Sequence, residues 1–177
     1  MRIIGGHKKG ITIHTPKNLP VRPTTDFAKE GLFNILNNKI IFETCDVLDL
    51  FSGTGNISYE FASRGANSVL SVDLNYACTS FIKKTVFELG FNNMKAIKSD
   101  VFRFINSCET NFSLIFADAP YAMPEVKDLP KMIIEKGLLR EGAMMIIEHD
   151  KSINFAGQPL FFENRKYGNV NFSFFIN

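Results

Sequence analysis

Tryptophan is absent from the 177 residues, and cysteine and histidine occur three times each. Cys45, Cys78 and Cys108 lie about thirty residues apart without a close pair, which excludes a disulfide framework and a metal cluster and leaves reduced core thiols. His7 and His14 have no Cys, Asp or Glu near them in sequence and read as surface residues. Nowhere do eighteen apolar residues follow one another, and the charged N-terminus holds no apolar run of signal-peptide length. A cytoplasmic protein without a membrane span is expected. Acids are missing from residues 1–25, where Arg2, Lys8, Lys9, Lys17 and Arg22 give +5; against a total of +2 the remainder carries −3. Such a basic arm is one footprint of a phosphate-binding surface and equally fits a solvated hairpin.

What is present is enough for one domain with a proper core: 45% apolar residues, eighteen of them Phe. Residues 1–25 form the arm and linker and 26–177 the core. Residues 2–4 and 11–14 alternate in strand fashion about Gly5, Gly6 and a turn at His7–Gly10, which predicts a β-hairpin presenting Lys8 and Lys9. Pro20, Arg22 and Pro23 make an extended linker, and Thr24, Thr25 and Asp26 are capping side chains for a helix carrying Ala28, Leu32, Ile35 and Leu36 on one face. Further on, strands are predicted at 47–51, 69–72, 95–97, 112–117, 143–148, 160–163 and 170–174. Helices are predicted over 57–63, 76–89, from about 99, and over 129–136. Alternating strands and helices followed by two strands joined at Gly168–Asn169 imply an α/β sheet with an antiparallel pair at its edge.

Two stretches carry chemistry. The first is Asp49-Leu50-Phe51-Ser52-Gly53-Thr54-Gly55, where a strand passes through a glycine turn into a helix, the opening of a nucleotide-binding βαβ unit. Ser58 stands where a dinucleotide fingerprint has its third glycine. Asp49 would repel a pyrophosphate but suits the ammonium end of a methionine moiety, which favours S-adenosylmethionine over NAD. Asp73, twenty residues beyond Gly53, has the spacing of a carboxylate that meets ribose hydroxyls; a helix cap is its other role. Asp100 with the Val101 amide could meet an adenine, or cap the helix it opens. Phe51, Thr54 and Leu74 complete the candidate donor-binding set.

The second stretch is Asp118-Ala119-Pro120-Tyr121, at the end of a buried strand where open α/β sheets bind ligands. An exocyclic amine of a base attacks a methyl donor poorly while its lone pair is delocalised into the ring. Asp118 and the Ala119 carbonyl could accept both amine hydrogens, Pro120 stiffen the bend and Tyr121 stack on the base. The same four residues also fit a capping aspartate and a proline turn.

Met1-Arg2-Ile3-Ile4-Gly5-Gly6 with Lys9-Gly10, Arg22-Pro23-Thr24 ahead of Glu30-Gly31-Leu32-Phe33-Asn34-Ile35-Leu36, Leu48–Gly55 and Asp118–Tyr121, in this order, closely resemble the bacterial 16S ribosomal RNA guanine-N2 methyltransferase family, named for guanine 966. The resemblance covers nearly the whole chain. It implies a Rossmann-like class I methyltransferase fold, a seven-stranded, mostly parallel sheet with its last strand antiparallel and helices on both faces. It implies S-adenosylmethionine as cofactor, S-adenosylhomocysteine as product and no metal, since the sulfonium is already activated. The implied partner is 16S rRNA, in a partly assembled small subunit, with neither DNA nor membrane involved. By similarity Asp49, Gly53 and Gly55 hold the methionine part, Asp73 the ribose, Asp100 the adenine and Asp118 the target amine, while Arg2, Lys8, Lys9 and Arg22 face RNA. The family pattern reads Asp-Pro-Pro-Tyr. Ala119 departs from it, keeping the carbonyl acceptor in a less rigid loop. An adenine-N6 methyltransferase on DNA or RNA would use the same loop, and a non-catalytic nucleotide-binding module or an NAD-dependent oxidoreductase would leave it incidental.

Overall fold

In the computed structural model, residues 1–16, 19 and 25–177 are described. The linker residues Pro20, Arg22 and Pro23 and the capping candidate Thr24 lie outside them. Helix α1 spans Asp26–Leu36 and opens on Thr25, whose hydroxyl accepts the Ala28 N–H at 3.2 Å. Then come β1 (Asp46–Leu50), α2 (Asn56–Ser63), β2 (Ser68–Asp73), α3 (Tyr76–Leu89), β3 (Met94–Lys98), α4 (Val101–Ser107) and β4 (Phe112–Asp118). After a 3-10 turn at Pro124–Asp128, α5 (Leu129–Glu135) leads into β5 (Leu139–His149), β6 (Phe161–Tyr167) and β7 (Val170–Ile176). No helix among the described residues is long and apolar enough to cross a membrane.

The strands form one sheet in the order β3-β2-β1-β4-β5-β7-β6. β1 to β5 run parallel, and β7 enters antiparallel between β5 and β6. The central parallel strands β1, β4 and β5 contribute apolar side chains to both faces because helices cover both, while the edge strand β3 buries only Met94 and Ala96. On one face α1, α2 and α3 pack Leu32, Phe33, Ile57 and Ile82 over Val47, Leu114, Phe116 and Phe174. On the other, α4 and α5 set Val101, Ile105, Leu129 and Ile133 against Leu48, Ile115, Met145 and Phe175. Strand order reverses between β1 and β4, and the crevice above such a switch point is where doubly wound sheets take ligands.

Several expected boundaries move. Strand β1 ends at Leu50, because Phe51 turns left-handed (φ 58°) to leave the sheet. Helix α2 begins one residue early, at Asn56. Strand β5 starts at Leu139 and passes through Gly142, whose positive φ of 71° accommodates an irregular register with β4. The expected N-terminal strands reduce to one bridge, Arg2 with Thr12, flanked by Ile3 N–H to the Ile11 carbonyl (2.9 Å) and Ile13 N–H to the Met1 carbonyl (2.8 Å).

That hairpin lies along α2. The Ile4 N–H donates to Glu60 (2.6 Å), Ser63 donates to the Gly5 carbonyl (2.6 Å), and the His7 and Lys8 amides reach the Ser63 carbonyl and hydroxyl (2.8 and 3.0 Å). Gly6, at φ 72°, passes so close that a Cβ there would overlap the Ser63 carbonyl. Arg2 therefore sits at the end of α2 near the glycine turn, and the Lys8–Lys9 tip at the other end, about 12 Å away for eight helical residues.

Candidate active site

The C-terminal ends of β2, β1, β4 and β5 bring acids together. Register pairs Asp49 with Ser71 and Phe116, and Asp118 with Glu148. Since side chains alternate along a strand, Asp49, Asp73, Asp118 and Glu148 share the sheet face that carries α2.

Asp49 is 1% exposed and receives the Ser58 hydroxyl, which also bonds Ser71 at 2.7 Å. Burial pushes its carboxyl up to about 7 against the pull of Ser58, with the charge of Asp73 adding to the rise. Ser58 is thus no mere gap in a fingerprint: its hydroxyl holds the acid that the smaller glycine could not. The turn above it is tight. Ser52 N–H bonds the Val72 carbonyl (3.1 Å) and Gly55 N–H the Ser52 carbonyl (2.8 Å). Gly55 has φ 83°, and a Cβ there would press within about 3.0 Å of Tyr59 and 3.1 Å of Ile82. Thr54 is buried within this turn, and Phe51 meets Phe102 edge-on at 6.2 Å. Helix α2 opens on Gly55 with no side-chain cap, at the crevice end of the glycine turn.

Asp73 accepts the Gly53 N–H through one oxygen and the Asn75 N–H through the other, both at 2.8 Å. It fixes the turn while each oxygen keeps a lone pair for a further donor. Leu74 follows it, 63% exposed. Asp100 caps α4 by accepting the Arg103 N–H at 2.9 Å, which is the capping role, and buried Val101 is the first residue of that helix. The Ser99 amide bonds the Asp73 carbonyl (3.0 Å), tying these two strand ends together.

Across the switch point Asp118 is half-buried. Burial, then the negative charges of Glu148 and Asp49, hold its carboxyl well above the ordinary aspartate range. Two residues beyond Phe116, which is in register with Asp49, it lies on the same face as Asp49 and the glycine turn. Ala119 is buried, Pro120 is exposed and its carbonyl accepts the Met123 N–H (2.9 Å), and Tyr121 is 45% exposed. The structure therefore brings Asp49, Phe51, Gly53, Thr54, Gly55, Asp73 and Asp118–Tyr121 to one edge. Arg2 lies near it, Lys8 and Lys9 do not, and Arg22 falls outside the described residues. Among the described residues no group of three His, Cys, Asp or Glu side chains is placed to hold a metal ion.

Sequence reasoning missed Glu148, 3% exposed beside Asp118, because it reads as the polar end of a buried strand. It also missed Lys29 and Glu60, buried together at 2.9 Å. Lys29, Leu32, Phe33 and Leu36 follow i, i+3, i+4, i+7, so helical spacing already put that lysine on the core face.

A switch-point crevice with an acid-flanked glycine turn on one side and Asp-Ala-Pro-Tyr on the other defines a class I methyltransferase. The family model described as conserved hypothetical protein 95 matches residues 1–176, and the chain belongs to that family. It is 32% identical over 157 residues to the putative rRNA methyltransferase YlbH of Bacillus subtilis, covering 86% of this chain and 84% of that one. It is 28% identical over 150 residues to ribosomal RNA small subunit methyltransferase D of Escherichia coli K12, covering 85% and 75%. Among solved structures, the putative methyltransferase yhhF of Escherichia coli superposes with a TM-score of 0.86 at 24% identity, over 100% of this chain and 97% of that one.

Proposed function

We propose that this protein transfers the methyl group of S-adenosylmethionine to the exocyclic N2 of a guanine in 16S ribosomal RNA, presented in a partly assembled small subunit in the cytoplasm. The observation that carries this is the position of Asp118–Tyr121 directly across the switch point from Asp49 and the glycine turn. The named rRNA methyltransferases among its relatives supply the substrate class.

The residues fit the donor. The uncapped start of α2 suits its carboxylate and Asp49 its ammonium, while Asp73 retains acceptor capacity for ribose hydroxyls and Asp100 with Val101 lies at the next strand end. Bound there, the donor supplies a methyl group already activated by its positive sulfur. Asp118 and the Ala119 carbonyl accept the two N2 hydrogens, drawing them out of the ring plane so that the nitrogen lone pair points at the methyl carbon. Tyr121 stacks on the splayed base, which is how single-stranded RNA is usually read. As the N–C bond forms, the methyl–sulfur bond would break to leave S-adenosylhomocysteine, and the nitrogen, now cationic, must lose a proton. In its ionised form the Asp118 carboxylate, already accepting one of those hydrogens, is placed to take it. Arg2, Lys8, Lys9 and Arg22 hold phosphates along the arm.

Mass spectrometry of rRNA from a strain lacking this gene tests the proposal. One N2-methylguanine should vanish from 16S rRNA and return on complementation. Loss of an N6-methyladenine instead would transfer the reading to the adenine alternative, and an unchanged rRNA would overturn both.

A further inference from the structure

Lys29 is 1% exposed, yet each of its three N–H bonds is answered. It donates to the Arg2 carbonyl at 2.6 Å and to Asn56 Oδ1 at 2.9 Å, and it pairs with Glu60 Oε1 at 2.9 Å. Glu60 is fully buried, and its Oε1 also receives the Ile4 N–H at 2.6 Å. One ammonium therefore joins α1, the N-terminal hairpin and both ends of the first turn of α2. Asn56 is the residue directly after Gly55, and that helix has no side-chain cap of its own. Its first residue is held instead by a cation reaching over from α1. An ammonium can only donate, so the Asn56 carbonyl oxygen must face Lys29, and the amide orientation is fixed by chemistry.

We propose that Lys29 is a positioning residue for the methyl-donor turn, acting through Asn56, and that the N-terminal hairpin is thereby part of the scaffold of the donor site as well as an RNA arm. A buried ion pair adds little net stability compared with an apolar pair of the same shape. What it adds here is a directed contact to the residue at which the turn becomes helix. The proposal rests on the donor site described above.

The test is calorimetric titration of the full chain with S-adenosylhomocysteine, paired with thermal unfolding. Asn56→Ala and the charge-neutral Lys29→Met/Glu60→Gln should each weaken binding about tenfold, and the triple variant should be no weaker than either, as expected of residues acting in series. Lys29→Arg should stay within about threefold of the parent, since a guanidinium can still donate to the Arg2 carbonyl, Asn56 and Glu60. Ile133→Ala, on the opposite face of the sheet, should lower the melting temperature and leave the affinity alone. A folded Lys29→Met/Glu60→Gln protein that binds like the parent overturns the proposal. So does a triple variant in which the two losses multiply, or an Ile133→Ala protein weakened as much as the others. Should the double replacement not fold, amide exchange over Gly53–Ile57 in Asn56→Ala decides: about tenfold faster supports the positioning role, an unchanged rate ends it. A parent protein that binds no S-adenosylhomocysteine would overturn the donor site itself, a separate failure.

Discussion

Two groups of ionisable side chains meet helix α2, one at Ser58 and the other at Glu60, and they are built on opposite rules. Beneath the hairpin, Lys29 and Glu60 cancel each other at 2.9 Å, with Arg64 3.6 Å from the second Glu60 oxygen. Along the crevice stand acids, Asp49, Asp73, Asp118 and Glu148, where burial raises Asp49 and Asp118 above the usual carboxylate range, with Asp73 adding to the first and Glu148 and Asp49 to the second. Opposite charges in a core satisfy each other and hold elements in register. Acids crowded beside a cleft favour the arrival of a cation, which a positively charged methyl donor would supply. The contrast separates scaffold from chemistry within one layer of side chains.

Removing a charge from each group should therefore do different things. The largest expected effect is in the crevice: Asp118→Ala should cut methyl transfer to rRNA by roughly a thousandfold while the affinity for S-adenosylhomocysteine stays within about twofold. Turnover retained with tritiated donor would erase the distinction. Beneath the hairpin, Lys29→Met alone leaves Glu60 charged and buried and should cost about 3–5 kcal/mol in urea unfolding, most of it recovered when Glu60 is neutralised too. If the single variant is as stable as the parent, the pair is not a structural joint.

A third experiment uses pH. Asp49 titrates near 7 when folded, against an ordinary value near 3.9, so the folded state holds that proton more tightly than the unfolded chain. Its contribution to stability is fully present below about pH 4 and is lost as pH rises through about 7. Unfolding free energy should then fall between pH 5 and pH 8 by on the order of 2 kcal/mol more in the parent than in Asp49→Asn. Equal slopes would remove Asp49 from the strained group. The smallest effect is at the arm. Lys8→Ala with Lys9→Ala should make the salt dependence of RNA binding shallower by about 1.4–1.8 in log–log slope, and an unchanged slope would take the tip of the hairpin out of the RNA surface.

Local pattern fixed most of this molecule. Runs of apolar residues bounded by Gly, Pro and Asn, an Asp49-to-Gly55 turn and an acid twenty residues on are properties of neighbours in sequence, and they yielded the strands, the glycine turn and the two candidate carboxylates Asp73 and Asp118. Thr25, the cap of α1, was equally legible, because capping satisfies amides within a few residues.

Folding alone decided the rest. Register between residues 67 apart in sequence set Asp49 beside Phe116, and register between residues 30 apart brought Asp118 level with Glu148. Packing turned Ser58 from a missing glycine into the partner of Asp49, and gave Lys29, which helical spacing already set on the core face, its partners Glu60 and Asn56. It also laid the basic hairpin along α2, with Arg2 near the crevice and Lys8 and Lys9 at the far end. Burial and long-range electrostatics depend on what the whole chain places around a group. A sequence names the acid, but only the fold settles whether water, a hydroxyl or a second carboxyl stands beside it.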